Sequence, residues 1–241
     1  RLDERNELMF IGLAGFDNLK LNQEPDDAGD EYLLRYLPKL KQETFTVGIS
    51  YKHFGDRHIQ TWSASYNYLN NRTIKYLNND ESSPEELIQN SSGLEGKAQS
   101  RFENRSYYGS WTVREGAEVM YRHYDSYVFR RMAYSRMLEY DSNIGFFGWG
   151  LYASADYKSP GGMVNASAGL RTDGSSFSGR TASFWKQISP RASVSYMPWT
   201  NWAFNASAGL YHQLPPMTAF SFRNDDGVLA NKSLDYMRVM S

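Results

Sequence analysis

Two stretches of the chain share one hexapeptide, Asn165-Ala166-Ser167-Ala168-Gly169-Leu170 and Asn205-Ala206-Ser207-Ala208-Gly209-Leu210. In both copies Ala and Leu alternate with Asn, Ser and Gly, a period of two that is typical of a β-strand with one apolar and one polar face. The segment 191–196 between them alternates Arg, Ser and Ser with Ala, Val and Tyr. Together these stretches predict three consecutive two-faced antiparallel strands.

The composition excludes several classes of function. The chain has 241 residues, of which 26 are basic and 27 acidic, so its net charge of -1 provides no field that would attract nucleic acid. It contains no cysteine, which excludes disulfides, thiolate metal sites and cysteine nucleophiles.

Hydrophobicity points to a membrane without a spanning helix. Aromatic residues make up 15% of the chain although its mean hydropathy is -0.63, and no apolar run approaches the roughly 18 residues that a transmembrane helix needs. A barrel wall hides its apolar face in alternation, so a polar average is compatible with spanning a bilayer. We therefore predict an all-β, antiparallel, up-and-down transmembrane β-barrel.

Similar alternation recurs along the chain and gives about nine or ten strands. Residues 45–51 and 62–68 form a predicted hairpin, and residues 8–21 are rich in strand-forming residues, although both of their faces are apolar.

The connections between these strands alternate in length. Short turns are predicted at 54–57, 114–116, 159–162 and 198–201, whereas long polar loops are predicted at 70–99, 132–143, 172–189 and from 213 onward. Within the first long loop, Ser83-Pro84-Glu85-Glu86-Leu87 predicts a short helix, because Ser is a favoured N-cap and Pro a favoured first residue. Short periplasmic turns opposite long extracellular loops are typical of outer-membrane barrels.

Aromatic residues give a second indication of the membrane boundary. Tyr51, Tyr157, Tyr196, Trp199 and Trp202 lie beside the predicted short turns, where amphipathic rings would form a girdle at one rim of a barrel. Alternation alone also fits a soluble β-sandwich that binds carbohydrate through exposed aromatic side chains. Both architectures are retained at this point.

Two other groups of residues have the chemistry of metal or catalytic sites. The acidic segment 23–31 is either a calcium site or a solvated loop, and it lacks the ligand spacing of an EF-hand. His53, His58, His123 and His212 are scattered along the chain, and no nucleophile elbow or phosphate loop occurs. We therefore expect neither a cofactor nor an enzymatic activity.

Several short motifs resemble the barrel of TonB-dependent outer-membrane receptors from Gram-negative bacteria. The motifs are Ser189-Pro190-Arg191, Tyr211-His212-Gln213-Leu214-Pro215-Pro216, Asn231-Lys232-Ser233-Leu234 and the strand end from Gly169 to Ser176. The resemblance extends from Phe45 to Tyr236. It implies a 22-stranded barrel in the bacterial outer membrane that encloses an N-terminal plug and imports a scarce nutrient such as a siderophore, vitamin or glycan.

The resemblance also implies partners. These are the TonB energy-transducing complex, acting through a TonB box near the N-terminus, the lipid bilayer, a small-molecule or glycan ligand, and a surface lipoprotein. Neither a plug, a TonB box nor a closing C-terminal strand is visible in the sequence. We therefore expect residues 1–241 to be part of one barrel domain.

Candidate ligand-binding residues fall into two groups. Arg130, Arg131 and Arg136 lie in one predicted extracellular loop, where they would hold an anionic ligand or a lipid phosphate, or would simply be solvated. Arg171, Arg191 and Tyr211 lie on the polar faces of strands, where they would line the lumen or pack against a plug.

Overall fold

The computed structural model describes residues 1–19, 29, 32, 35–132 and 136–241. Its ten strands are β1 Asn6–Leu19, β2 Lys39–Phe54, β3 His58–Tyr76, β4 Leu87–Tyr108, β5 Trp111–Arg131, β6 Met137–Lys158, β7 Val164–Ser175, β8 Ser189–Trp199, β9 Trp202–Gln213 and β10 Met237–Met240. They form one sheet in which each strand pairs antiparallel with its neighbours in the sequence. The all-β, up-and-down arrangement and the strand number agree with the sequence prediction.

The two faces of the sheet differ in polarity. One cross-strand row contains Val47, Tyr66, Ala98, Tyr121 and Phe147, most of them exposed apolar or aromatic side chains. The next row along the strands lies on the opposite face and contains Gly48, Ser65, Gln99, Met120 and Gly148. We call the first the outward face and the second the lumenal face.

This arrangement contradicts the soluble sandwich. A sandwich buries its apolar faces against a second sheet, whereas the described residues form a single sheet whose outward face is open. Large outward side chains such as Phe10 (72% exposed) and Trp62 (54% exposed) are not covered by any other described part of the chain.

Aromatic residues form two outward belts rather than the single girdle that was predicted. The lower belt, beside the short turns, contains Trp62 near Phe102 and Trp111 near Tyr157, and the upper belt contains Phe45 stacked on Tyr68 and Tyr121 near Phe147, with ring centroids 4.5–5.0 Å apart. Trp111 and Tyr121 are ten residues apart on β5, about 33 Å along a strand. At the usual tilt this is roughly the 25 Å height of a lipid-facing band.

Three of the four short turns lie where they were predicted, and one does not. The turn between β4 and β5 is at Gly109-Ser110, not at 114–116. Gly109 has φ +59°, a left-handed conformation that favours glycine, whereas Gly116 pairs with Glu103 inside the sheet.

The predicted long loops are shorter than expected because the strands continue through them. The connection at 70–99 shrinks to Leu77–Glu86, most of 132–143 belongs to β6, and β7 extends to Ser175. Strands of 19 to 22 residues are twice as long as the 9–11 residues that cross a bilayer. Above the membrane both faces are wet, so paired strands lose their alternation and look like loops in the sequence.

Helical structure is limited to single turns in the connections. Pro84–Glu86 is a 3-10 turn. The Ser83 hydroxyl accepts a hydrogen bond from the Glu85 backbone amide at 3.2 Å, so Ser83 is the N-cap, as predicted from the sequence. No helix among the described residues is long and apolar enough to cross a membrane. Most of the acidic segment 23–31 lies outside the described residues.

Two connections fold together over the lumenal face near the end of the sheet opposite the short turns. We call residues 176–188 and 214–236 the loop cap. Its Met217 and Phe220, both buried, pack with Phe177 against Phe146 on β6, and the Phe177 and Phe220 ring centroids are 4.2 Å apart. The polar stretch predicted after residue 213 therefore contains a small hydrophobic core.

Candidate functional site: a lumenal pocket

A pocket of about 530 Å³ lies on the lumenal face, nearer the short turns than the core of the loop cap. Its volume is within the range of sites for small-molecule ligands. The charged and aromatic side chains that line it are Arg101, Glu103, Arg114, Tyr152, Arg171, Arg191 and Tyr211, and five serines also line it. We call this site the lumenal pocket.

Arg171 is held between two carboxylates. Its Nε donates to both carboxylate oxygens of Asp173 at 2.9 and 3.0 Å, and its Nη2 donates to Glu118 on β5. The side chains of Glu118 and Asp173 are only 7% and 13% exposed. Charged hydrogen bonds of this kind compensate the loss of hydration that burial causes.

Tyr152 forms the centre of a second network. Its hydroxyl donates to Glu103 at 3.0 Å and accepts a hydrogen bond from Arg101 Nε at 2.8 Å. The Arg101 guanidinium also lies 4.8 Å from the centre of the Tyr152 ring. Gly116 opposite Tyr152 leaves the space in which the ring lies, since a Cβ atom there would collide with it.

The two remaining arginines differ in their partners. Arg114 pairs with Asp156 at 2.5 Å. Arg191 lies over the Tyr211 ring at 4.4 Å and makes no ion pair with any described residue. A cation on an aromatic face is stabilised by the ring quadrupole without being neutralised.

The loop cap reaches the charged residues of the wall at Tyr236. Burial raises the pKa of this tyrosine, and the nearby charge of Asp173 raises it further, so its hydroxyl stays protonated. Gln187 donates to Asp235 at 3.2 Å and ties the two connections of the cap together beside this point.

The structure brings one predicted group together and separates the other. Arg171, Arg191 and Tyr211 all line the lumenal pocket. Arg130 and Arg131 are the last residues of β5, so their side chains point to opposite faces of the sheet, and Arg136 precedes β6. All three are exposed and lie outside the pocket, and Arg131 instead donates to the carbonyl of Glu85.

Four pocket residues were not identified from the sequence: Arg101, Glu103, Arg114 and Tyr152. Arg114 was assigned to a turn, which hid the alternation that places it on the same face as Glu118. With the turn moved to Gly109-Ser110, the period of two identifies Arg114 as lumenal, and the register then identifies its neighbours.

The histidines do not assemble a metal centre. His53 and His58 flank the same turn with ring centroids 6.2 Å apart, and His123 contacts Asp125 on the outward face. Within the part of the chain that the structure describes, no group of three or more His, Cys, Asp or Glu side chains is placed to hold a metal ion.

Solved structures with the same fold include a receptor and two transporters, one of them an outer membrane transporter. The chain matches a copper transporter, OprC (TM-score 0.61, 11% identity), a mutant of the ferric enterobactin receptor PfeA from Pseudomonas aeruginosa (0.66, 12%) and the outer membrane transporter YddB from Escherichia coli (0.53, 10%). These matches cover 91%, 91% and 88% of this chain but only 36%, 32% and 30% of the other chains. The chain thus spans about a third of the length of these structures.

No curated protein matches the sequence. The family model described as TonB dependent receptor-like, beta-barrel matches residues 7–237, nearly the whole chain. This match confirms the resemblance, the barrel fold and the location in the bacterial outer membrane. The chain belongs to the TonB-dependent receptor-like β-barrel family.

Proposed function

We propose that the protein containing this chain imports a scarce nutrient across the outer membrane by TonB-dependent active transport. The observation that carries this proposal is the division of the sheet into an apolar outward face and a lumenal face that bears an arginine-lined pocket. Such a wall separates lipid from a polar passage, and lumenal side chains tune the selectivity of a barrel. Family membership supports a transporter rather than an enzyme.

Three finer points belong to the same proposal. Residues 1–241 are part of one barrel domain, and the plug, the TonB box and the closing strand come from other parts of the protein. The nutrient is a siderophore, a vitamin or a glycan, in keeping with a ferric enterobactin receptor among proteins of this fold. A surface lipoprotein remains a predicted partner.

The proposal is tested by measuring which solutes cells remove from their medium. Three strains are compared by mass spectrometry of the spent medium: wild type, a strain lacking the full-length receptor, and a strain lacking TonB. We expect at least one solute to be depleted by the wild type and by neither deletion strain. Depletion that needs the receptor but not TonB would indicate a passive pore and would contradict the proposal.

A further inference from the structure

The repeated hexapeptide builds a symmetric frame around β8. One copy lies on β7 and the other on β9, and β8 pairs with both, so each of the five residues from Arg191 to Ser195 has the same residue type on its two sides. Arg191 lies between Gly169 and Gly209, Ser193 lies between Ser167 and Ser207, and Ser195 lies between Asn165 and Asn205. These three rows are all on the lumenal face.

Small residues of the two hexapeptides leave space around the Arg191 side chain. Because both residues paired with Arg191 are glycines, neither paired residue contributes a side chain of its own beside Arg191, and the next row presents only serine hydroxyls. The Tyr211 ring lies over Gly209, where an added Cβ atom would be 2.8 Å from it, and it supports the Arg191 guanidinium from below.

Arg191 also differs electrostatically from the other arginines of the pocket. Arg101, Arg114 and Arg171 each contact a carboxylate on the sheet. Arg191 has no such partner among the described residues, and it is exposed to the pocket. A guanidinium stacked on a ring keeps its N–H edge free for a bidentate contact with carboxylate or phosphate.

We propose that Arg191, framed by the two hexapeptides, is a binding site for an oxyanion group, a carboxylate or a phosphate, of the transported solute. This inference rests on the proposed function and narrows it to anionic ligands. The hydroxyls of Ser167, Ser193 and Ser207 supply further hydrogen-bond donors beside the guanidinium. The pocket's volume of about 530 Å³ accommodates a small organic anion rather than a single ion.

The test uses the absence of cysteine from the chain. In the full-length receptor, with any cysteine elsewhere replaced by serine, Ser193→Cys places one thiol beside Arg191. The rates of modification by an anionic sulfonatoethyl and a cationic trimethylammonioethyl methanethiosulfonate are compared. Ser65→Cys is the matched control, because Ser65 is also lumenal but lies on β3, five strands away from β8 and Arg191.

We expect the anionic reagent to be favoured roughly tenfold at position 193 relative to position 65, because a cation in a concave site raises the local concentration of anions. Arg191→Gln should remove most of this preference, whereas Arg5→Gln, at an exposed pair near the chain start, should leave it unchanged. Equal preferences at the two positions, a preference that survives Arg191→Gln, or a thiol at position 193 that neither reagent reaches would each overturn the inference. The last outcome would mean that another part of the protein covers Arg191.

The two proposals fail in different ways. The labelling rates do not depend on TonB, so a receptor that lacks energised uptake but shows the Arg191-dependent preference would refute only the proposed function. Normal uptake without the preference would refute only the oxyanion site.

Discussion

Replacing Arg171 should lower the free energy of unfolding by more than the loss of an exposed ion pair does. Arg171→Gln leaves Glu118 and Asp173, which are 7% and 13% exposed, without their cation. We expect a loss of about 3 kcal/mol in the free energy of unfolding, typical of an uncompensated buried charge. Urea unfolding of the full-length receptor in lipid vesicles measures this loss.

The matched control for this prediction is Arg5→Gln. The Arg5–Asp56 pair is 64% and 87% exposed, so its loss should cost at most about 1 kcal/mol. Equal losses for the two variants would show that the lumenal carboxylates are solvated well enough to stand alone.

Glycines under aromatic rings give a second prediction at this scale. Gly116→Ala would place a Cβ atom 2.5 Å from the Phe102 carbonyl and against the Tyr152 hydroxyl, so a strand or the ring must move. We expect a loss of about 1–3 kcal/mol, as in other overpacked sites. Gly161→Ala, where nothing lies within 4 Å, should be nearly neutral.

The readout for both glycine variants is the temperature at which the folded, fast-migrating band is lost on a gel. If the Gly116→Ala receptor melted at the same temperature as the wild type, the Tyr152 ring could move away from position 116 without loss of stability. The ring would then not be fixed at that position.

Residue patterns predicted part of the pocket for a clear reason. Arg171, Arg191 and Tyr211 lie in strands whose opposite face is mostly apolar, so the period of two assigns them to the lumen. Arg101 and Tyr152 could not be assigned to one site from the sequence, because their contact depends on the register of β4, β5 and β6. The ring position of Tyr152 depends in turn on a glycine that looked like part of a turn.

At the scale of elements, the longest strands extend beyond the membrane. Their outer ends are polar on both faces, and backbone pairing rather than lipid contact keeps them extended, which is why the sequence made them look like loops. The short helix at Ser83 was predictable because its capping signal is local.

The connection between β3 and β4 predicts where an external protease cuts. A glutamate-specific protease added to intact cells should cut within 77–86, which contains Glu81, Glu85 and Glu86, and should spare the paired strand residues on both sides. The turn at 159–163 should stay intact under a broad-specificity protease until the outer membrane is opened. Cleavage of that turn in sealed cells would reverse the orientation.

The outward face of β9 is tested by a charge at mid-strand. Ala206→Arg places a cation in lipid and should cost about 2–4 kcal/mol if the site is near the midplane. Asn205→Arg places the same side chain on the lumenal face. Because polar side chains are accommodated there, the free energy of unfolding should fall by less than about 1 kcal/mol. The folded fraction in vesicles distinguishes them, and equal costs would contradict the assignment of faces.

At the scale of the whole molecule, the two-faced sheet explains why a membrane-spanning chain has a polar average hydropathy. A chain of polar average hydropathy can line a bilayer because, within the membrane, only every second residue of a strand faces lipid. The loop cap was not predictable, because Met217 and Phe220 lie in a polar stretch and become a core only when 176–188 and 214–236 meet over β6.

The central claim is that one face of this sheet meets lipid and the other a water-accessible lumen. Cysteine substitution at successive positions 204–208 of β9, one at a time in the full-length receptor in outer membranes, followed by labelling with a water-soluble maleimide, tests it most directly. We predict labelling at 205 and 207 and none at 204, 206 and 208. Uniform labelling, or labelling at the even positions, would contradict it.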